Sequence, residues 1–379
     1  MHLRLALFLL APLALAACHA ERSAPMADAP EAVSEVAPET AARPIPLAGP
    51  LASRDAEISG LTWQGERLVV LPQYPGRFPA GADTVDMAGA MKDEGSLFGL
   101  AASDLLAVIE GTRSEALRPE AIPFAAPGVA AAVPGFEGYE AIAFRGDRVF
   151  ALIESAGAGV THGYLVAGFV TPEGGVRLDA ATLAPLPAQA RLDNLAYETL
   201  VATSSGVVVL QEANGIVVNP TPEAYRYDAA TVLRDSLRAP TLEYRLTDAT
   251  EIDSAGRFWV MNYFYPGDRA LLRPGLDALN ETFGRGLTHR RGQSVERLVE
   301  FHLNGTRIEP TGRAPIQLEL LDEARNWEGL ARFGTRGFLI ATDTYPQTLL
   351  AFIAAPLDTG RSAPTSGGAG PMDAASSQQ

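Results

Sequence analysis

Among 379 residues there is one cysteine and one lysine. The lone Cys18 excludes an internal disulfide framework and leaves no pair of thiolates to hold zinc or copper. With Lys92 as the sole lysine, nearly all positive charge sits on arginine, which reads as compositional bias. Of five histidines, His162, His289 and His302 show no paired metal-ligand spacing. No long amphipathic helix is legible in the body of the chain. Neither G-x-S-x-G, a P-loop, nor G-x-G-x-x-G ahead of a helix occurs. Basic residues are outnumbered 30 to 45, giving a net charge of −15. That balance argues against nucleic acid and anionic membrane surfaces as partners and suits a cation-binding site.

Residues 5–15, after Arg4, form an apolar run too short for a stable bilayer span. Leu15-Ala16-Ala17-Cys18 resembles the bacterial lipobox, in which cleavage before the cysteine leaves it to carry the lipid. The expected layout is a signal peptide at 1–17, a flexible tether at 18–42, a folded body at 43–358 and a disordered tail at 359–379. The implied location is the bacterial cell envelope, facing the periplasm, with membrane contact through the lipid anchor at Cys18 only.

The body is repetitive. Asn326-Trp327-Glu328-Gly329-Leu330-Ala331 precedes Gly337-Phe338-Leu339-Ile340-Ala341-Thr342-Asp343, a short strand, a turn and a second strand ending in an acid. Earlier copies lead with Glu57, Glu140, Glu198 and Glu251. The leading glutamates lie 83, 58, 53 and 77 residues apart, intervals that suit four-stranded blades with loops. Further strand-like runs at 163–170, 176–183, 224–227, 242–246, 295–303 and 316–321 complete the middle copies. The last copy has three strands, and residues 44–48 are the natural source of its fourth. The predicted fold is an all-β propeller of five blades closed by an N-terminal strand, leaving no sheet edge there. Six blades is the alternative, since the 83-residue interval has room for a short extra one.

In such a fold the start of each first strand and the end of each second strand meet at one mouth of the central channel. That places Glu57, Glu140, Glu198, Glu251 and Glu328 in one ring, with Ser59 the other residue able to take the first position and Glu251 about two residues off register. Gln73, Glu154, Glu212, Tyr263 and Asp343 form a second ring. Facing carboxylates raise one another's pKa, and a cation relieves them. Calcium, with six to eight oxygens and tolerant geometry, is the expected ion.

The insertion 263–294 emerges at the same mouth with Arg269, Arg273, Arg285, His289, Arg290 and Arg291. A second loop, 75–96, brings Arg77 and Lys92. Guanidinium groups bind phosphate oxygens in bidentate fashion. With metal held by the ring glutamates, Glu154, Glu212 and Asp343 are the candidates to activate water for phosphoester hydrolysis. The alternative is a non-catalytic envelope propeller that binds a ligand or protein and keeps calcium as a structural ion.

Ser59-Gly60-Leu61-Thr62, Glu140-Ala141-Ile142-Ala143 with Ile153-Glu154-Ser155, and Asn326-Trp327-Glu328-Gly329-Leu330-Ala331 with Ala341-Thr342-Asp343 resemble the esterase-like phytase propeller family. More loosely they are similar to SdiA-regulated-type propellers. The resemblance implies an exported propeller acting as a calcium-dependent phosphoester hydrolase. The chain also looks similar to five-bladed calcium-dependent nucleotidases in its acid-lined axis. It departs from phytase propellers in lacking their lysines, which argues against phytate as substrate.

Overall fold

The computed structural model describes residues 36–354. The expected signal peptide 1–17, Cys18 and the tail 359–379 lie outside the described residues.

The body is all-β with short helices in its loops. Four antiparallel strands make each of five runs. The first run is Ile58–Gln64, Arg67–Pro72, Glu94–Ala101 and Glu120–Ala125. The second is Phe136–Arg145, Arg148–Ser155, His162–Val170 and Val176–Pro185. A parallel contact between their outer strands joins these two into one eight-stranded sheet. The third run is Tyr197–Ala202, Gly206–Gln211, Glu223–Asp228 and Leu233–Arg238. The fourth is Arg245–Ala249, Arg257–Phe264, Val295–Leu303 and Ile316–Leu318. The fifth is Trp327–Phe333, Gly337–Thr342 and Leu350–Ala354, completed by Arg43–Ile45 from the N-terminal side.

The second strands are apolar on both faces because each sheet is sandwiched. Leu68, Val69, Val70 and Leu71 are all buried, as are Val207, Val208, Val209 and Leu210. Their side chains alternate between two clusters. Val69 and Leu71 pack toward the second run, with Tyr139, Val149 and Ile153, whereas Leu68 and Val70 pack toward the fifth, with Leu339 and Phe352. Further clusters lie between the second and third runs, the third and fourth, and the fourth and fifth. Each run therefore packs on the next and the fifth on the first. A period-two strand with no polar face is what this stacking requires.

Three expectations are corrected. The 83-residue interval holds the outer strands Glu94–Ala101 and Glu120–Ala125 and the helix Ala102–Ile109, so no sixth run is found among the described residues. The stretch 242–246 is not the third run's outer strand, a place taken by Leu233–Arg238. Its end opens the fourth run's first strand, Arg245–Ala249, which pairs with Arg257–Phe264 and buries Asp248. The stretch expected as a tether also folds in its last residues. Glu39–Thr40 pairs in parallel with Ile316–Leu318. The Glu39 carboxylate accepts from Thr288 N–H at 2.9 Å, Thr288 Oγ1 at 2.7 Å and His289 N–H at 3.0 Å, and meets His289 Nδ1 at 2.7 Å. Gly286 allows this contact, since a Cβ there would lie 2.2 Å from Glu39 Cδ.

Candidate axial acid site

Each first strand is bulged near its start. The register slips between Ile58 and Gly60, Tyr139 and Ala141, Tyr197 and Thr199, Leu246 and Ala249, and Trp327 and Gly329. The residues left out of the ladder are Ser59, Glu140, Glu198, the pair Thr247–Asp248, and Glu328. A bulge re-aims the extra side chain, and here it turns one residue per run toward the shared axis. Across the ladder, Ile58, Tyr139, Tyr197, Leu246 and Trp327 pair with Pro72, Ile153, Gln211, Asn262 and Thr342. The next residues are Gln73, Glu154, Glu212, Tyr263 and Asp343, which is the second ring predicted from the sequence.

The first ring differs from its prediction at two places. Ser59, not Glu57, takes the bulge position of the first run. Glu57 lies two residues earlier and pairs with Arg77 at 2.5 Å. Burial raises its pKa, Arg77 lowers it and Asp343 raises it again, so it borders the site. Glu251 follows the end of its strand, and its Oε1 accepts the Trp63 N–H at 3.2 Å. Trp63 is near the end of Ile58–Gln64, so Glu251 sits at the opposite end of the axis from the ring. Its companion Asp248 lies mid-axis, accepting from Leu330 N–H at 2.6 Å and Leu61 N–H at 3.4 Å. Burial nonetheless raises the Asp248 pKa well above the usual range.

The decisive group absent from the prediction is Arg245, two residues ahead of the fourth bulge. Its Nε pairs with Glu212 Oε1. Its Nη2 reaches Glu198 Oε1 at 3.2 Å and Glu328 Oε1 at 3.5 Å, and its Nη1 donates to Asn326 Oδ1 at 3.3 Å. Glu212, Glu198 and Glu328 outweigh the burial that opposes its charge, and hold it firmly protonated. The run 242–246 reads as an outer strand of the third copy, and only its observed register reveals the arginine's aim.

One guanidinium does not balance this site. Glu140, Glu154, Glu198, Glu212 and Glu328 are all buried. Glu140 accepts from Gln73 Nε2 at 2.9 Å, Glu154 from Ala196 N–H at 2.8 Å, and Glu328 from Asn326 Nδ2 at 2.6 Å. Burial, with Glu212 next in effect, pushes Glu154 to about 8. Burial lifts Glu212 to about 7 even against Arg245. Glu140, Glu198 and Glu328 stand well above the ordinary carboxylate value, through burial first and neighbouring acids second. Glu154, Glu198 and Glu212 each bring a carboxylate oxygen within 4.8 Å of the others. Glu198 Oε2 and Glu212 Oε2 are buried and receive no hydrogen bond from any other residue, so only a proton shared between these two carboxyls, or a cation, satisfies them. Such orphaned acceptors cost several kcal/mol in water-poor surroundings unless something binds them.

The insertion reaches this mouth through Asp268, which is electrostatically coupled to both Arg245 and Glu212. Arg269, Arg273, Arg290 and Arg291 are exposed and Arg285 is half-buried. Arg269 lies over the Phe264 ring, and Arg290 Nε donates to the Arg285 carbonyl. His289 is no phosphate ligand. It is buried, with Nδ1 against Glu39 and Nε2 accepting the Glu296 N–H at 3.3 Å. It staples the insertion to the N-terminal segment.

No protein-family model matches the chain, and no curated protein matches it. Among solved structures it is similar to a GH43 endo-arabinanase from Bacillus licheniformis, at 10% identity and a TM-score of 0.44, over 83% of this chain and 98% of that one. It is also similar to the Cellvibrio cellulosa alpha-L-arabinanase complexed with arabinohexaose, at 10% identity and a TM-score of 0.38, over 79% and 91%. A glycosyl hydrolase from Bacteroides ovatus matches at 10% identity and a TM-score of 0.41, over 86% and 96%.

Proposed function

We propose that the five runs are the blades of one closed propeller in an exported, lipid-anchored envelope protein. Its axial acids bind a divalent cation, calcium, at Glu154, Glu198 and Glu212. The observation that carries this reading is the pair of buried carboxylate oxygens that no other residue satisfies, Glu198 Oε2 and Glu212 Oε2, in a triad that Arg245 only partly neutralises. Neither zinc nor copper suits an all-oxygen set without thiolate or imidazole. Calcium takes carboxylate oxygens and completes its shell with water. Burial of the acids favours a small ion over a bulky ligand at this depth.

The test is a thermal melt of the metal-stripped protein with calcium titrated back and magnesium as control. A ligand bound only by the native state stabilises it by about 2.7 kcal/mol at a hundred times its Kd. A calcium-specific rise in Tm, lost in Glu198→Gln, supports the reading. A Tm indifferent to calcium sinks it.

A second reading adds catalysis, and one observation favours it. The insertion starts at the same mouth, where Asp268 interacts electrostatically with Arg245 and Glu212 and exposed Arg269 follows it, and it carries the further exposed arginines Arg273, Arg290 and Arg291. In that reading a small phosphoester lies between the loop arginines and the ion, and Asp343 faces its water. Calcium-dependent release of phosphate from a panel of small phosphoesters tests it. Absence of turnover alongside intact calcium binding leaves a ligand- or protein-binding propeller with structural calcium.

A further inference from the structure

Three runs place a glutamate at the bulge, Glu140, Glu198 and Glu328, while the first places Ser59 there and the fourth Thr247, ahead of Asp248. Thr247 Oγ1 donates to the Trp327 carbonyl. Ser59 is 1% exposed, and its Oγ is buried with no hydrogen-bond partner. A serine hydroxyl buried in a strand normally donates to a nearby carbonyl or finds a water. Ser59 Oγ meets no such carbonyl, and its strand lies between two strands that carry acids.

Those acids come from the flanking runs. Strand Ile58–Gln64 stands between Phe136–Arg145, which carries Glu140, and Trp327–Phe333, which carries Glu328. Glu140 and Glu328 nevertheless repel one another across it, and Asp343 repels both. The strand order therefore gives Ser59 Oγ, buried and partnerless, a place between two strands that each carry a buried carboxylate. Arg245 reaches Glu328 only at 3.5 Å and is committed to Glu212 and Glu198 on the other side. Hydrogen bonds from Gln73 and Asn326 engage the Oε1 atoms of Glu140 and Glu328.

Charge points the same way. Five buried glutamates, Glu140, Glu154, Glu198, Glu212 and Glu328, share one guanidinium, while the buried Asp248 lies apart, mid-axis, on backbone N–H groups. Fully ionised, they carry four negative charges in excess. One divalent cation at Glu154, Glu198 and Glu212 leaves two of these uncompensated, both on the Ser59 side. Buried charges persist only when paired.

We infer that the axis takes two divalent cations. The first sits at Glu154, Glu198 and Glu212, and the second sits between Ser59 Oγ, Glu140 and Glu328. The inference rests on the cation-binding reading above and doubles it. Hydroxyl, carboxylate and water are all hard oxygen ligands, so calcium suits both places.

The experiment is equilibrium dialysis of the metal-stripped protein against calcium at pH 8, with bound metal counted per chain. The expected count is two. Glu140→Gln keeps the size of the side chain and removes one charge, and should lower the count to one with the first ion retained. Ser59→Ala should weaken the second ion about tenfold, the loss of one ligand, and leave the first unchanged. Circular dichroism and the retained first ion report that each variant is folded. A wild-type count of zero overturns the cation reading itself. A count of one overturns the second site alone. A count of two that Glu140→Gln does not reduce places the second ion elsewhere and also overturns it.

Discussion

Replacing Arg245 by Met is the most informative single perturbation of this axis. The guanidinium is 10% exposed, and its three acid partners are between 0% and 11% exposed. Met keeps the length and apolar stem but removes the charge, leaving Glu198, Glu212 and Glu328 buried without a counter-ion. Breaking a buried pair in this way costs about 3–5 kcal/mol. At about 2 °C per kcal/mol for a body of this size, Tm should fall by about 6–10 °C in chelator at pH 8. The cost should depend on pH with a definite sign. A carboxylate whose folded pKa is raised contributes stability fully present below its unfolded pKa and lost as pH rises through its folded pKa. Glu154 and Glu212 stand at about 8 and about 7, and Glu140, Glu198 and Glu328 higher than usual. Cation-free wild type should therefore lose stability as pH rises from about 5 toward 8, and Arg245→Met should lose more over that interval. Calcium should rescue both at the alkaline end. Differential scanning calorimetry across pH, with and without calcium, reads all of this. An Arg245→Met protein within about 0.5 kcal/mol of wild type at pH 8 in chelator, the range of an ordinary surface change, would refute the claim that Arg245 balances the axis.

Two further outcomes follow from the same geometry. Glu39→Gln should destabilise the protein by about 1–3 kcal/mol, because a charged acceptor of several hydrogen bonds is lost, and hydrogen exchange should quicken across 284–292. In wild type that clasp should weaken in acid: burial raises the Glu39 pKa, the bonds from Thr288 and His289 more than reverse this, and burial lowers His289. Both groups lose their contribution as pH falls through the region below their ordinary values, and urea unfolding at descending pH checks it. Glu251→Gln, by contrast, should leave calcium affinity unchanged in a titration, since Glu251 meets Trp63 N–H at the far end of the axis. A tenfold loss there would mean that the assignment of ends is wrong.

Much of the site could be read from the chain because it repeats. The apolar second strands end in Gln73, Glu154, Glu212, Tyr263 and Asp343, and the ladder pairing keeps that column intact. Glu140, Glu198 and Glu328 were legible for the same reason, each following an aromatic residue, Tyr139, Tyr197 or Trp327, and leading an apolar run. The fourth copy was misread because its axial residues do not look axial. Asp248 resembles a turn acid, and it is buried only because Leu61 and Leu330 from other runs offer it their N–H groups. Arg245 lies in a stretch that passes for an outer strand. His289 looked like an anion ligand until the N-terminal Glu39 met it.

Local pattern determined the strand content, the order of strands within each run and the acidic bias of one column. Those depend on side-chain alternation and turn residues, which act over a few positions. Stacking decided the rest. Which bulged residue faces the axis, that Ser59 replaces an acid there, that Arg245 enters the ring of acids, and that residues 39–45 join two sheets all depend on contacts between residues tens to hundreds of positions apart. A bulge shifts every side chain after it by one place, so a one-residue ambiguity along the chain becomes the difference between one face of the sheet and the other. Only the packed sheets resolve it.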